Sequence, residues 1–454
     1  MRHSSEMDMC SGPLVGNLLR FSIPLMASSI LQLLFNAADI IVLGQFASSS
    51  AMAAVGATSS LNSLMVNLFL GLSIGCSVVM ARSYGAQDWR RVHDAVHTAL
   101  LLAVFCGAFL IVAGIPLLPA LLRWMDTPPD LLDQSVLYMR IVFLGMPAMM
   151  VYDFGAGILR AIGDTKRPLF FLTAAGITNA CLNVFFVVAF HMDVAGVALA
   201  TSISQYLSAF LVVRCLMQPG TRYQLHPKQM RISGPILLQI VRVGLPAGIQ
   251  SVVFSISNVL IQSSINTFGT LAVAGSTAAA NIENFVYTAM NAIYQAALNF
   301  TSQNVGAGKK ERIPLILRDC LVIVTVIGAV LGGLAVLFGS QLLSIYTSDL
   351  EVIPFGLDRI HVICLTYLLC GLMDVTCGVV RGMGAAVTPT IVSLTGACGL
   401  RVIWIYTVFA SAHSLFVLYL SYPVTWVVTC AAHLVCFAYF YRHLRLSGQA
   451  TLHG

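Results

Sequence analysis

The sequence predicts an all-α polytopic membrane protein, with twelve transmembrane helices in two pseudo-symmetric six-helix lobes. Three observations predict it: a shortage of charge, long unbroken apolar runs and an internal repeat. Of 454 residues, 9% are charged and 58% hydrophobic, against about 25% charged in an ordinary soluble domain. The mean hydropathy is +0.87. Twenty-four Lys and Arg with 18 Asp and Glu cannot coat a water-soluble protein of this size. A net charge of +6 spread over such a chain also excludes a disordered polymer, a collagen-like fibre and a basic nucleic-acid binder.

In lipid, only helices and closed barrels satisfy every backbone polar group. Barrel strands alternate apolar and polar residues over about ten positions. This chain instead carries runs such as Leu100 to Leu122 and Leu321 to Leu343, 23 residues each, and a span needs about 20. Charged or Pro/Gly-rich breaks divide the chain into spans at 18–43, 53–81, 95–120, 134–159, 168–190, 195–217, 235–265, 272–304, 314–345, 355–380, 387–411 and 414–440. The first apolar stretch, Phe21 to Gly44, exceeds a signal h-region and lacks a basic cluster before it, so it reads as the first span. The twelve cysteines lie mostly within apolar segments and read as small packing residues with free thiols.

Lys and Arg set the expected orientation. With the N-terminus cytosolic, 20 of the 24 fall on the cytosolic side, from Arg2 and Arg20 through the 218–234 linker to Arg442 and Arg445. The outer loops hold Asp126, Asp130, Asp133, Asp193, Asp349, Glu351 and Asp358. Both termini are therefore expected inside; short loops and no organellar targeting signal point to a cell inner (plasma) membrane.

Phe21-Ser22-Ile23-Pro24 matches Val243-Gly244-Leu245-Pro246, 222 residues on, and Asn36 matches Asn258. Tyr84-Gly85-Ala86 pairs with Val305-Gly306-Ala307. Arg160-Ala161-Ile162-Gly163 pairs with Arg381-Gly382-Met383-Gly384, and Asp153 with Asp374, each 221 apart. The predicted organisation is an N-terminal lobe at 1–217, a cytosolic linker at 218–234 and a C-terminal lobe with a short tail at 235–454. Six spans per half give both halves the same orientation, as in parallel-repeat transporters that work by alternating access.

Ionisable residues inside spans are costly and mark function by default. Asp39 is the sharpest, with Gln32 and Asn36 on its helical face. Asp39 lies roughly 8 Å inside the outer end of its span, and Asn183 and Thr201 roughly 12 Å inside theirs. Asn179 and Asn183 are one turn apart. A carboxylate with amide and hydroxyl oxygens suits a proton or a hard cation such as Na⁺; the plainer reading is a polar tie between three helices. Asp153 and Asp374 read as helix-end charges near interfacial arginines. Glu283 reads either as a cavity-lining acid for cationic substrates or as a structural hydrogen-bonder. Arg401 is the one deep arginine expected and reads as a neutraliser of one of these acids. His93 and His97 have a metal-like spacing but lack the Glu of a zinc-protease helix, so a solvated interfacial face is expected. Gly71-Leu72-Ser73-Ile74-Gly75 suits close helix packing. Pro24 and Pro246 interrupt the first span of each half. No phosphate-binding loop, catalytic triad or metal-hydrolase set is visible, so no enzyme activity is expected.

These residues resemble those of the multidrug and toxic compound extrusion (MATE) transporters. The likeness rests on Pro24, Asp39 and Val42-Leu43-Gly44, Gly85-Ala86, Leu159 to Thr165, Asn179 to Asn183 and Ala195 to Thr201 in the first half. Gln303 to Ala307 and Val380 to Gly384 continue it in the second. The resemblance implies efflux of organic, cationic or amphipathic compounds in exchange for H⁺ or Na⁺. It implies a cation-coupling site at Asp39, Asn179, Asn183 and Thr201; by their own positions in the spans, Pro24, Gln32, Asn36, Glu283 and Asp374 are expected in the substrate cavity or gate. No cofactor beyond the coupling ion is expected, and no nucleic acid. The partners are a small organic molecule and the bilayer, with a monomer as the working unit. Ile261 stands at the repeat equivalent of Asp39, so a second cation site is not expected. A related lipid-linked oligosaccharide flippase is the alternative, expected to carry more cationic residues in its cavity. A receptor or scaffold without transport is the remaining class.

Overall fold

The computed structural model describes residues 7–46, 48–125, 127–347 and 349–449. Arg2 and Asp126, both part of the charge bias, lie outside the described residues. Among the described residues, twelve long helices follow one another: α1 (Leu14–Phe46), α2 (Ser49–Gly85), α3 (Trp89–Trp124), α4 (Pro129–Ala161), α5 (Lys166–Ala189), α6 (Asp193–Leu216), α7 (Gly234–Asn266), α8 (Thr270–Gly306), α9 (Lys310–Leu337), α10 (Ile353–Gly382), α11 (Val387–Ala412) and α12 (Leu415–Gln449). No strand occurs among the described residues.

Eleven of the twelve are long and apolar enough to cross a membrane. The exception, α8, has 37 residues and so ample length, but it is rich in polar and small side chains. Those side chains turn inward: Asn299, Thr301, Ser302, Gln303 and Asn304 are all buried. Apolar residues on other helices face outward, among them Phe105, Val112, Leu238, Val330 and Val435. Greasy outside and polar within is the pattern lipid demands, since a polar group there needs a protein partner.

The chain packs as two compact units, residues 27–248 with the N-terminal tip and residues 9–26 with 249–454. The first half of α1, including Pro24, therefore belongs to the second unit, and the first half of α7 to the first. In the first unit α4 is the hub, packed by α2, α3 and α6. In the second unit α10, its repeat partner, is packed by α8, α9 and α12.

Small residues set the closest crossings. A Cβ on Gly71 would sit 2.1 Å from the Gly248 nitrogen, and one on Gly75 2.3 Å from the Ile240 carbonyl oxygen. Only glycine lets α2 and α7 backbones touch there. Gly332 approaches the Cys364 carbonyl as closely in the second unit. The repeated arginine turns share one geometry: Gly163 after α4 has φ +90° and Gly384 after α10 has φ +103°. This is the left-handed end that glycine supplies after a helix.

Candidate functional site

α1, α5 and α6 of the first unit converge on a buried polar cluster. The local cause is a glycine. A Cβ on Gly176 would lie 1.9 Å from the Phe35 ring, so its absence lets Phe35 lie flat on α5. Asp39 follows Phe35 by one turn and Asn183 follows Gly176 by two, so the same crossing brings the carboxylate to the amide. α5 widens into π geometry at Val184–Ala189, immediately after Asn183. Such bulges are common at functional sites because they re-aim side chains and free carbonyls.

All four residues expected at the cation site are linked. The Asn183 amide donates to Asp39 Oδ1 at 2.5 Å and to Asn179 Oδ1 at 3.1 Å. The Asn179 amide donates to Thr201 Oγ1 at 3.3 Å. Asn183 is 1% exposed, and its own Oδ1 is buried without a hydrogen-bond partner. A buried, unpartnered amide oxygen beside a carboxylate costs free energy, and a proton donor or a hard cation would satisfy both oxygens at once. Tyr138, which nothing in the sequence pattern singled out, lies within electrostatic reach of Asp39 and packs beside Leu43, Val187, Val194 and Val197. Its signal was absent because α4 contributes it alone, outside any spacing shared with Asp39.

Gln32 and Asn36 are exposed on α1, seven and three residues before Asp39. Pro24 lies in the interior of α1. Asp153 is half-buried on α4, with its Oδ2 unpartnered, and Ser73 donates to its main-chain oxygen at 2.9 Å. Asp374 is half-buried on α10.

The second unit corrects the expectation of a single deep arginine. Arg359, Arg381 and Arg401 are all buried. Arg359 grips Glu283 with two bonds, Nε to Oε1 at 2.7 Å and Nη2 to Oε2 at 2.8 Å, and donates to Ser276 at 2.7 Å. The Glu283 charge is thus already matched by a protein cation. Arg381 donates to Tyr294, Gln250 and Thr390. Arg401 does not neutralise an acid: among the described residues it forms no ion pair. Its Nη1 lies 3.5 Å from Asn258 Oδ1, its guanidinium sits 4.1 Å from the centre of the Tyr422 ring, and its Nε has no partner. Ile261 is core, packed among residues that include Ile265, Ile363, Cys370 and Tyr419. Sequence reading missed Arg359 and Arg381 because both sit near helix ends, where an arginine ordinarily reaches water.

A further correction concerns His97. It is 0% exposed, its ring held between the His93 carbonyl oxygen and the backbone of His226 in the linker, and so is not a solvated face.

Long apolar helices, an internal repeat and buried polar groups inside spans define a polytopic membrane protein of the transporter type. The MatE family profile matches residues 24–185 and again 246–407, so each half is one copy, 222 residues apart. The chain belongs to the MatE family, the multidrug and toxic compound extrusion proteins, which are membrane transporters and not enzymes. It is 26% identical over 434 residues to the probable multidrug resistance protein YoeA of Bacillus subtilis, covering 89% of this chain and 93% of that one. It is 25% identical over 385 residues to the probable multidrug resistance protein NorM of Thermotoga maritima, covering 83% and 82%. Its fold matches the outward-facing structure of a multidrug resistance MATE family transporter, with a TM-score of 0.91 at 21% identity over 98% of this chain and all of that one.

Proposed function

We propose that the protein is a secondary active efflux transporter that exchanges organic, cationic or amphipathic compounds for H⁺ or Na⁺ by alternating access. It acts as a monomer in the cell inner membrane, with both termini cytosolic. The observation that carries this reading is the Asp39–Asn183–Asn179–Thr201 network, with its unpartnered Asn183 oxygen. A proton on Asp39 removes a charge from an apolar lobe. A Na⁺ ion does the same while drawing on amide and hydroxyl oxygens. Either event lets α1 repack against α5, and the repacking loosens the hold on substrate. Linkage then requires that bound substrate weaken cation binding by the same factor.

The test is flux of a fluorescent organic cation in proteoliposomes under a pH gradient or a Na⁺ gradient imposed separately. Uphill export under one gradient, lost in Asp39→Asn, supports the reading. Equal export without any gradient sinks it. One observation favours the flippase alternative, the buried Arg401 with no acid against it, since an anionic headgroup would match it. Gradient-independent movement of a lipid-linked sugar phosphate in the same vesicles would establish that alternative.

A further inference from the structure

The linker after α6 brings His226 onto the first turns of α3, where His93 and His97 stand one turn apart. One ring nitrogen from each of the three lies within 4.8 Å of the others. The His93 and His97 ring centres are 4.0 Å apart, and those of His93 and His226 5.7 Å.

The other nitrogens are engaged in a telling way. His97 Nδ1 is 2.7 Å from the His93 carbonyl oxygen, and His226 Nδ1 is 3.1 Å from the Gln224 carbonyl oxygen. His93 Nδ1 is 3.9 Å from the Asp94 carboxylate. A metal-bound histidine donates its second N–H to a carbonyl or carboxylate, which fixes the tautomer and turns the remaining lone pair to the ion. His97 and His226 follow that pattern through Nδ1, which leaves their Nε2 atoms for ligation; His93 Nδ1 faces the Asp94 carboxylate from beyond hydrogen-bond length, and its ring bonds the Gln229 side chain. His97 Nε2 acts as an acceptor already, taking the His226 backbone N–H at 3.0 Å. Three imidazoles this close cannot all be protonated without mutual repulsion, whereas a shared cation draws them together.

We propose that His93, His97 and His226 form a binding site for a divalent transition-metal ion of the Zn²⁺ or Ni²⁺ class, ligated through Nε2. Imidazole is the preferred ligand of these ions. Three protein ligands leave the fourth position of a tetrahedral ion to water. Binding replaces the His97 to His226 backbone hydrogen bond and draws the three nitrogens to about 3.3 Å apart, the separation that bonds of roughly 2.0–2.1 Å impose. The linker is already fastened beside the site: Arg231 pairs with Asp94 at 3.1 Å, and the Ser233 N–H donates to Thr98 Oγ1 at 3.0 Å. The metal adds a third fastening, clamping the linker onto α3 of the first unit.

The test uses the full chain purified in detergent without a polyhistidine tag. Co²⁺ is titrated as a spectroscopic probe, then displaced by Zn²⁺, and stoichiometry is read by calorimetry. The expected result is one equivalent with the intense visible absorption of tetrahedral Co²⁺. His226→Ala and His226→Gln each weaken binding about tenfold or more, and His443→Ala on α12 leaves it unchanged. Asp94→Asn weakens it by a smaller factor, through loss of the carboxylate behind His93. No tetrahedral Co²⁺ spectrum, or unchanged affinity in both His226 variants while they elute as folded protein, overturns the proposal.

Discussion

At positions 222 residues apart, the first unit carries Asp39, Asn179 and Asn183 where the second carries Ile261, Arg401 and Ile405. The first set is a hydrogen-bonded acid with amide ligands. The second is an apolar core residue beside a buried cation that rests on an aromatic ring. Around both, the backbone devices persist. Pro24 and Pro246 interrupt α1 and α7. Gly163 and Gly384 end α4 and α10 in the same left-handed turn. π turns open α5 after Asn183 and bracket the Arg401 segment of α11. Backbone shape and side-chain chemistry are thus separable in this repeat. The hubs and crossings are shared, while a first-unit carboxylate and a second-unit guanidinium give the two units opposite local fields. One coupling charge, placed in one unit, is what that asymmetry supports.

The largest effect expected from breaking the asymmetry is at Asp39. Asp39→Asn keeps the shape and hydrogen bonding but removes the charge, so gradient-driven export in proteoliposomes should fall to the passive leak at matched expression. Near-parental uphill pumping would move the coupling site elsewhere, with Asp374 the next acid to test. In the second unit, Arg359→Leu leaves the Glu283 charge buried and unmatched, at a cost of about 3–5 kcal/mol. The double change Glu283→Gln with Arg359→Gln should recover most of that loss in thermal unfolding in detergent; if it does not, the pair is not what destabilises the single variant.

A smaller effect follows from the glycine that builds the first-unit site. Gly176→Leu must displace Phe35 from α5, an overpacking cost of about 1–3 kcal/mol. It should weaken the cation dependence of export more than that of Gly56→Leu, since Gly56 has open space around its Cα. Equal effects in the two variants would show that the α1–α5 crossing does not set the Asp39 geometry. Pro24→Ala restores a backbone hydrogen bond inside α1 and should slow turnover while leaving the melting temperature near the parent value. A lower melting temperature at unchanged turnover would assign Pro24 to stability alone. The smallest change is expected from Ile261→Asn, which alters no charge in the second unit, so the ion dependence of export should stay within about twofold of the parent. A larger shift would reveal a second coupling site.

The amino-acid sequence by itself determined the membrane class, the helices and the repeat. Hydropathy over some 20 residues is local and additive, and two copies of one pattern survive in the residues that shape turns. It also put Asp39 roughly 8 Å and Asn183 and Thr201 roughly 12 Å inside the outer ends of their spans, because rise per residue converts position into distance along a helix. Only the tertiary structure decided which polar groups touch. Glu283 and Arg359 are 76 residues apart, and nothing in either neighbourhood marks the other as its partner. Whether an arginine near a helix end is solvated or buried depends on the helix packed against it. So Arg381 found Tyr294 and Gln250, and Arg401 found an aromatic ring rather than an acid. The same holds for His226, which reaches His97 only because the linker folds back on α3: side-chain pairing between helices is set by crossing geometry, and the crossings here are set by glycines whose contacts lie on other helices.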